Sequence, residues 1–359
     1  MNELFRLFGA RTASESALLG LALVVGLLFF MSVAFAAYTV LLRLGHQLKE
    51  KRWKELTARW QQPVLLAITE PDRMDAVHAV VEKRYRLHFV QFVLEYIRRV
   101  RGEERKTLRA LALPYLPLVV ARAGHRRPEI RTRAVQTLGT LGLPKYADVV
   151  LSALDDPSPL VSMVAARYIA REDFPQYAGA VLAHLPRYRG WNRRFLASML
   201  AAMGPDVSRR LRDGLGDEDR PGWVRAVLAD ALLMQLDPLA ADIAAKVIVT
   251  TEDRELLAST LRLLAGVGRP GHAAVIRARC SSPDFLIRAQ ALHALGVLSD
   301  EEDLPLLERS MEDPSPWVAL HAARGVLEAG GRGRLLAISA GDSRPAAVAG
   351  QVLAEEDEG

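Results

Sequence analysis

The chain has 359 residues, 50% hydrophobic but only 6% aromatic, with a formal charge of +5 and a pI of about 9.4. Its single cysteine, Cys280, excludes a disulfide framework and a cysteine-based zinc site. The basicity falls short of a dedicated nucleic-acid binder, and the apolar fraction is mostly Ala and Leu, so an all-α chain is expected.

Residues 1–16 form a short segment in which Arg6 and Arg11 are offset by Glu3 and Glu15. Its Leu4–Phe8 stretch, LFRLF, suits a membrane interface. Residues 17–42 then carry no charged side chain. At ~1.5 Å per residue the run exceeds the ~30 Å hydrocarbon core of a bilayer. A helix satisfies its own backbone polar groups, as lipid cannot. One transmembrane helix is expected over 17–42. A cleaved signal peptide is the alternative, because Ala34-Phe35-Ala36 resembles a cleavage site. The run to Leu42, however, outlasts a usual h-region of ~7–15 residues.

Arg43, Lys49, Lys51, Arg52 and Lys54 follow directly. They are candidate membrane-surface residues, and positive residues stay on the cytoplasmic side. The N-terminus is therefore expected outside and the bulk of the chain in the cytoplasm. Residues 43–112 read as a basic juxtamembrane helical linker and degenerate cap. Within them His46–Ala58 continues as a helix, and Arg86–Arg101 is amphipathic with Phe89, Phe92, Val93, Tyr96, Ile97 and Val100 on one side. Arg105–Leu113 and Tyr115–Arg122 form a degenerate first unit.

Residues 113–340 repeat. Ala134, Ala165, Leu196, Leu228, Thr260, Ala291 and Ala322 follow one another at steps of 31 or 32 residues. Four residues before each stands an aliphatic side chain, except at Asn192, and four after it another without exception. The i−4, i, i+4 spacing puts all three on one helix face. Asp156-Pro157-Ser158-Pro159, Ser282-Pro283-Asp284 and Asp313-Pro314-Ser315-Pro316 offer N-caps and first-turn prolines before these helices. Gly139, Gly204-Pro205, Gly268 and Gly296 stop them. Each unit holds a second amphipathic helix, such as Tyr146–Leu154 or Leu239–Val249. About seven hairpins are expected, stacked into a solenoid because one hairpin cannot bury its own apolar face. Residues 341–359 read as an acidic tail.

The run Ile287 to Gly296 behind Ser282-Pro283-Asp284, and Ile130 to Gly139, resemble the second helix of a HEAT-like repeat. With the N-terminal helix and the last unit, Asp313 to Val318, the chain is similar to bacterial membrane-anchored HEAT-repeat proteins. That resemblance implies an armadillo-type superhelix at the inner cell membrane. It also implies an association with envelope polysaccharide glycosyltransferases, so an integral membrane or envelope-synthesis enzyme is the implied partner. Asn192 and Thr260 depart from the apolar pattern.

No catalytic, cofactor-binding or metal site is expected. Gly266 to Gly271 matches GxGxxG but follows a helix rather than a strand, so it reads as a turn. The histidines form no HExxH or His-Cys cluster; His293 and His321 fall at corresponding places in successive units. The paired acids at Asp155-Asp156, Asp217 to Asp219, Glu301 to Asp303 and Glu312-Asp313 sit in loops or first turns. Arg131, Arg193, Arg225 and Arg288 occupy corresponding positions by spacing. Hydrogen bonding to the acidic turns of neighbouring repeats is the favoured account; a positive stripe on the concave face is the other. Arg122, Arg126, Arg127, Arg131 and Arg133 form one dense cluster. Arg187, Arg189, Arg193 and Arg194 form a second beside Tyr188 and Trp191, a combination suited to protein interfaces.

The expected function is a membrane-tethered, non-enzymatic protein-binding scaffold. The candidate partner-binding residues are Arg131, Trp191, Arg193, Trp223, Arg225, Arg288 and Trp317. Two alternatives stand beside it. One is a lyase-type enzyme or chaperone acting on a partner protein, since some HEAT-like proteins resemble chromophore lyases. The other is a module binding anionic lipid or polymer through the basic linker.

Overall fold

The computed structural model describes residues 13–170, 175–298 and 301–358, and among them there are only helices and turns. The chain divides into two compact units, Met1–Tyr115 and Leu116–Gly359.

In the first unit, α1 (Ala13–Thr69) is one helix of 57 residues. Within it Gly20–Leu41 is long and apolar enough to cross a membrane, with none of its length buried. The basic residues follow without a break in the helix. Arg43, Lys51, Arg52 and Lys54 are exposed, Lys54 paired to Glu50 at 2.8 Å, and Lys49 lies on the same stretch. The N-terminal LFRLF motif lies outside the described residues. Next come α2 (Met74–Val80), α3 (Arg86–Ile97) and α4 (Gly102–Ala112). The far end of α1 packs here: Trp60, Val64 and Ala67 are buried, and the Trp60 ring meets Phe89 and Phe92 edge-on or tilted at 5.4 and 5.7 Å. The expected amphipathic helix stops at Ile97, four residues early.

The second unit holds eight hairpins among its described residues. They are α5 (Leu116–Ala123) with α6 (Pro128–Leu141), α7 (Ala147–Ser152) with α8 (Pro159–Ile169), and α9 (Ala178–His184) with α10 (Arg193–Ala201). Then follow α11 (Ser208–Gly216) with α12 (Gly222–Met234), and α13 (Ala241–Thr250) with α14 (Arg254–Val267). The last three are α15 (Ala273–Arg277) with α16 (Phe285–Leu298), α17 (Leu304–Ser310) with α18 (Pro316–Glu328), and α19 (Arg332–Ser339) with α20 (Arg344–Glu358). Second helices pack on one another in succession from α10 to α20, and α6 packs on α8. The aliphatic positions flanking the repeat marker form the core: Val161, Val224, Leu256, Ile287 and Val318 are 2% exposed or less, as are Leu138, Leu200, Leu232, Leu264 and Leu295. Each such side chain contributes ~1.5–3 kcal/mol on burial.

One expectation is corrected, and two departures from the apolar pattern are explained. The acidic tail is helix α20, whose Ala346, Ala349, Val352 and Leu353 are buried; its acids pair back to the stack, Glu355 with Arg324 at 2.7 Å and Glu356 and Asp357 with Arg332. It completes an eighth hairpin. Thr260 is fully buried in α14, where its hydroxyl donates to the Leu256 and Leu257 carbonyls and so needs no apolar replacement. Asn192 is the N-cap of α10, its Oδ1 accepting from the Phe195 N–H at 3.0 Å.

Candidate partner-binding groove

The arginines separate once helix starts are known. Arg131, Arg225 and Arg288 are each the fourth residue of their helix. Arg288 donates from Nε and Nη2 to both oxygens of Asp313, at 2.8 and 3.0 Å, and from Nη1 to the Ser282 and Pro283 carbonyls. Arg131 repeats this with both oxygens of Asp156 at 2.7 Å and the His125 and Arg126 carbonyls. Both acids also accept from the backbone N–H two residues on, at Ser158 and Ser315. The guanidinium holds each carboxyl below its ordinary range, and the carboxylate raises each arginine in return. These two arginines are clamps between hairpins and not free for a partner. Arg225 is also buried; its Nε donates to the Leu215 carbonyl at 2.9 Å and its Nη2 meets no partner.

Arg193 does not belong to this ladder. It is the first residue of α10, a helix of nine residues where α6, α14 and α16 have fourteen. The first turn is missing because Asn192 caps late. The chain before it is held elsewhere: a 3-10 turn over Leu185–Tyr188 buries Tyr188, whose hydroxyl meets Ser162 Oγ at 2.7 Å. Burial there raises the phenol pKa. Arg187 reaches back to the Leu154 and Asp156 carbonyls, tying the hairpins where Ser162 takes the fourth-residue place of an arginine.

A groove of about 1380 Å³ opens at the missing turn. Trp191, Arg193 and Arg194 line one side, Trp223, Val227 and Leu233 of α12 the next, and Glu255 and Arg262 of α14 the far side. Trp191 is half-buried and stacked on Phe195 with centroids 6.2 Å apart; Trp223 is also half-buried. Asp230 is bonded from two directions, by Arg193 Nε and Arg262 Nη2, each at 3.0 Å. Arg189 and Arg194 are exposed and have no ion pair among the described residues.

A smaller cavity of about 420 Å³ continues the groove, sharing Leu233 and Arg262 and adding Ala265, Gly266, Gln290, His293 and His321. The two histidine rings lie 5.8 Å apart. Trp317, 48% exposed, meets His321 edge-on at 4.8 Å. Both ring nitrogens of His321 are buried without a hydrogen-bond partner, and burial followed by the His293 charge lowers its pKa. Of the Gly266 to Gly271 run, Gly266 and Val267 end α14 and the rest is the turn to α15. No group of three or more metal-ligating side chains occurs among the described residues.

Three of the seven candidate residues, Trp191, Arg193 and Trp223, therefore meet in one groove, and Trp317 flanks its extension. Arg131, Arg225 and Arg288 lie in the packing between hairpins. Sequence reasoning missed Asp230 and Arg262, which no local motif marks.

The HEAT-repeat family pattern matches residues 241–328. No curated protein matches the sequence. Among solved structures, Kap121p is similar at 12% identity over 78% of this chain and 37% of its own, with a TM-score of 0.41. The chain thus spans little more than a third of Kap121p. The CpcE–CpcF complex of phycocyanin lyase from Nostoc sp. PCC7120 shares 17% identity over 67% and 87% of the two chains, at a TM-score of 0.32. Human deoxyhypusine hydroxylase shares 15% over 80% and 99%, at 0.31. What those proteins bind or modify does not pass to this chain. Residues 241–328 are HEAT repeats, and the stack from α5 to α20 that contains them is an all-α, HEAT-like solenoid.

Proposed function

We propose that this chain is a membrane-tethered scaffold that binds a protein partner in the groove of α10, α12 and α14 and catalyses nothing itself. The observation that carries the proposal is the groove at the missing turn, where two half-exposed tryptophans and two unpaired arginines interrupt a regular stack. Aromatic and arginine anchors in a concavity are the usual material of interface hot spots, and solenoids offer extended surfaces for partners. The acids in the groove are engaged by arginines or by a helix start, an arrangement that favours recognition over proton transfer.

The tether is Gly20–Leu41, with a mean hydropathy of 2.4. Its continuation as one helix into the Trp60 core favours an anchor over a leader that is removed. The basic flank after it favours a cytoplasmic solenoid, and the family resemblance favours the inner membrane of a bacterial cell. A partner in that setting is an integral membrane or envelope-synthesis enzyme, with a glycosyltransferase as the candidate that the family resemblance favours. The test is affinity purification from native membranes with Trp191→Ala/Trp223→Ala and Arg189→Glu/Arg194→Glu chains. The bound membrane protein is expected to disappear from both while the helical content by circular dichroism is kept. Undiminished recovery from both would reject the groove. An active periplasmic reporter at the C-terminus would reject the orientation.

A further inference from the structure

The partner's chemistry follows from how charge is distributed along the groove, given that the groove is the partner site. Every acid in its lining is engaged. Asp230 lies between Arg193 and Arg262, Asp253 accepts from the Leu256 N–H at the start of α14, and Glu255 faces Arg193 at 3.8 Å. Among the charged and titratable groups of the two cavities, the unengaged ones are cationic or protonatable, and they stand at the two ends. Arg189 and Arg194 are at the α10 end. At the α18 end are the two bare nitrogens of His321. The groups facing His321 are His293 and Gln290 of α16, Arg262 of α14, and Trp317, Arg324 and Glu328 of α18 itself. Glu328 is drawn toward His293 Nδ1 at 3.5 Å, and Arg324 is paired with Glu355. Between the ends the lining is apolar, with Trp223, Val227, Leu233 and Met234.

We infer that the groove takes an extended segment of a partner protein with acidic side chains at both ends and apolar ones between, laid across the second helices from Arg189 and Arg194 to His321. The shared walls at Leu233 and Arg262 make the two cavities one path. Packed helices stand ~8–10 Å apart, so four steps from α10 to α18 cover roughly 32–40 Å. At ~3.3 Å per extended residue that is a segment of about 10–12 residues. Carboxylates at one end accept bidentate hydrogen bonds from the arginines. At the other end, a carboxylate accepts from the His321 ring, which has no internal acceptor to satisfy.

The probe is a fluorescein-labelled peptide of about twelve residues, with two glutamates at each end and alternating leucine and serine between. It is titrated by anisotropy against the full chain in zwitterionic-lipid nanodiscs. The glutamate peptide is expected to bind, and the same peptide with lysines not to. Arg189→Glu/Arg194→Glu should weaken the glutamate peptide by roughly tenfold or more and admit the lysine peptide. His321→Ala should weaken the glutamate peptide several-fold. Equal binding of the two peptides, no binding of either, or indifference to Arg189→Glu/Arg194→Glu would overturn the inference. Loss of the native partner from the tryptophan variants in the membrane purification would leave the scaffold standing even then.

Discussion

Arg288 grips Asp313 with two parallel hydrogen bonds across the boundary between two hairpins, both side chains less than 20% exposed. Removing one partner leaves the other charge in a poorly solvated turn. Arg288→Ala is expected to cost about 2–3 kcal/mol, and Arg288→Ala/Asp313→Ala less than the sum of the single changes, by urea unfolding. Because Asp313 has a lowered pKa in the folded chain, its contribution is present above about pH 3.8 and is lost as pH falls through the folded value. Additive single and double variants would remove the clamp.

Arg225 holds the same helix position without an acid opposite. Thr251 stands where Asp156 and Asp313 stand in their turns: its Oγ1 accepts from the N–H two residues on, at Asp253. Thr251→Asp should offer the Arg225 guanidinium its missing carboxylate and raise stability by about 1–2 kcal/mol. The gain should vanish in an Arg225→Met background. An unchanged urea midpoint would show that the two turns are not equivalent.

Gly296 and Gly325 bring the backbones of α16 and α18 together: a Cβ on Gly296 would land on the Cα of Gly325. Gly296→Ala is expected to destabilise by about 1–3 kcal/mol through overpacking. Gly271→Ala, where a Cβ meets open space, should leave the urea midpoint nearly unmoved. Equal effects would mean that the approach is looser than described.

His321 titrates below its ordinary value of 6.5 because burial disfavours its charged form. The unfolded chain therefore takes up this proton first. Stability should be level above pH 6.5 and decline as pH falls from there toward the folded value. His321→Phe should flatten that part of the profile in urea unfolding at pH 7.5 and 5.5. Identical slopes in the two proteins would contradict the burial account.

The repeat is legible in the sequence because aliphatic spacing reports directly on which face each helix hides and proline marks helix starts, whereas Gly139 and Gly296, read as stops, lie inside α6 and α16. The arginine ladder is only half legible. Counting residues aligns Arg193 with Arg131, but the fold counts from the N-cap, and Asn192 resets that count by one turn. The same Asn192, visible as an irregularity in an otherwise apolar column, marks where the groove opens. The last helix is obscured by its own acids: Ala346, Ala349, Val352 and Leu353 carry helical spacing, while Glu355 to Glu358 dominate the composition. The Asp230–Arg262 pair is not legible, because its members stand about one repeat apart and meet only across stacked helices, whereas the corresponding places of His293 and His321 in successive second helices already point to their meeting.

The central claim is that partners are held on the α10–α14 groove and not on the opposite, first-helix side. A photo-crosslinking residue placed at Trp223, or in a second chain at Lys246 on the exposed side of α13, tests this in native membranes. A single discrete adduct from position 223, lost on adding Arg189→Glu/Arg194→Glu and absent from position 246, is the predicted result. Adducts of equal yield from both positions, or from position 246 alone, would contradict it.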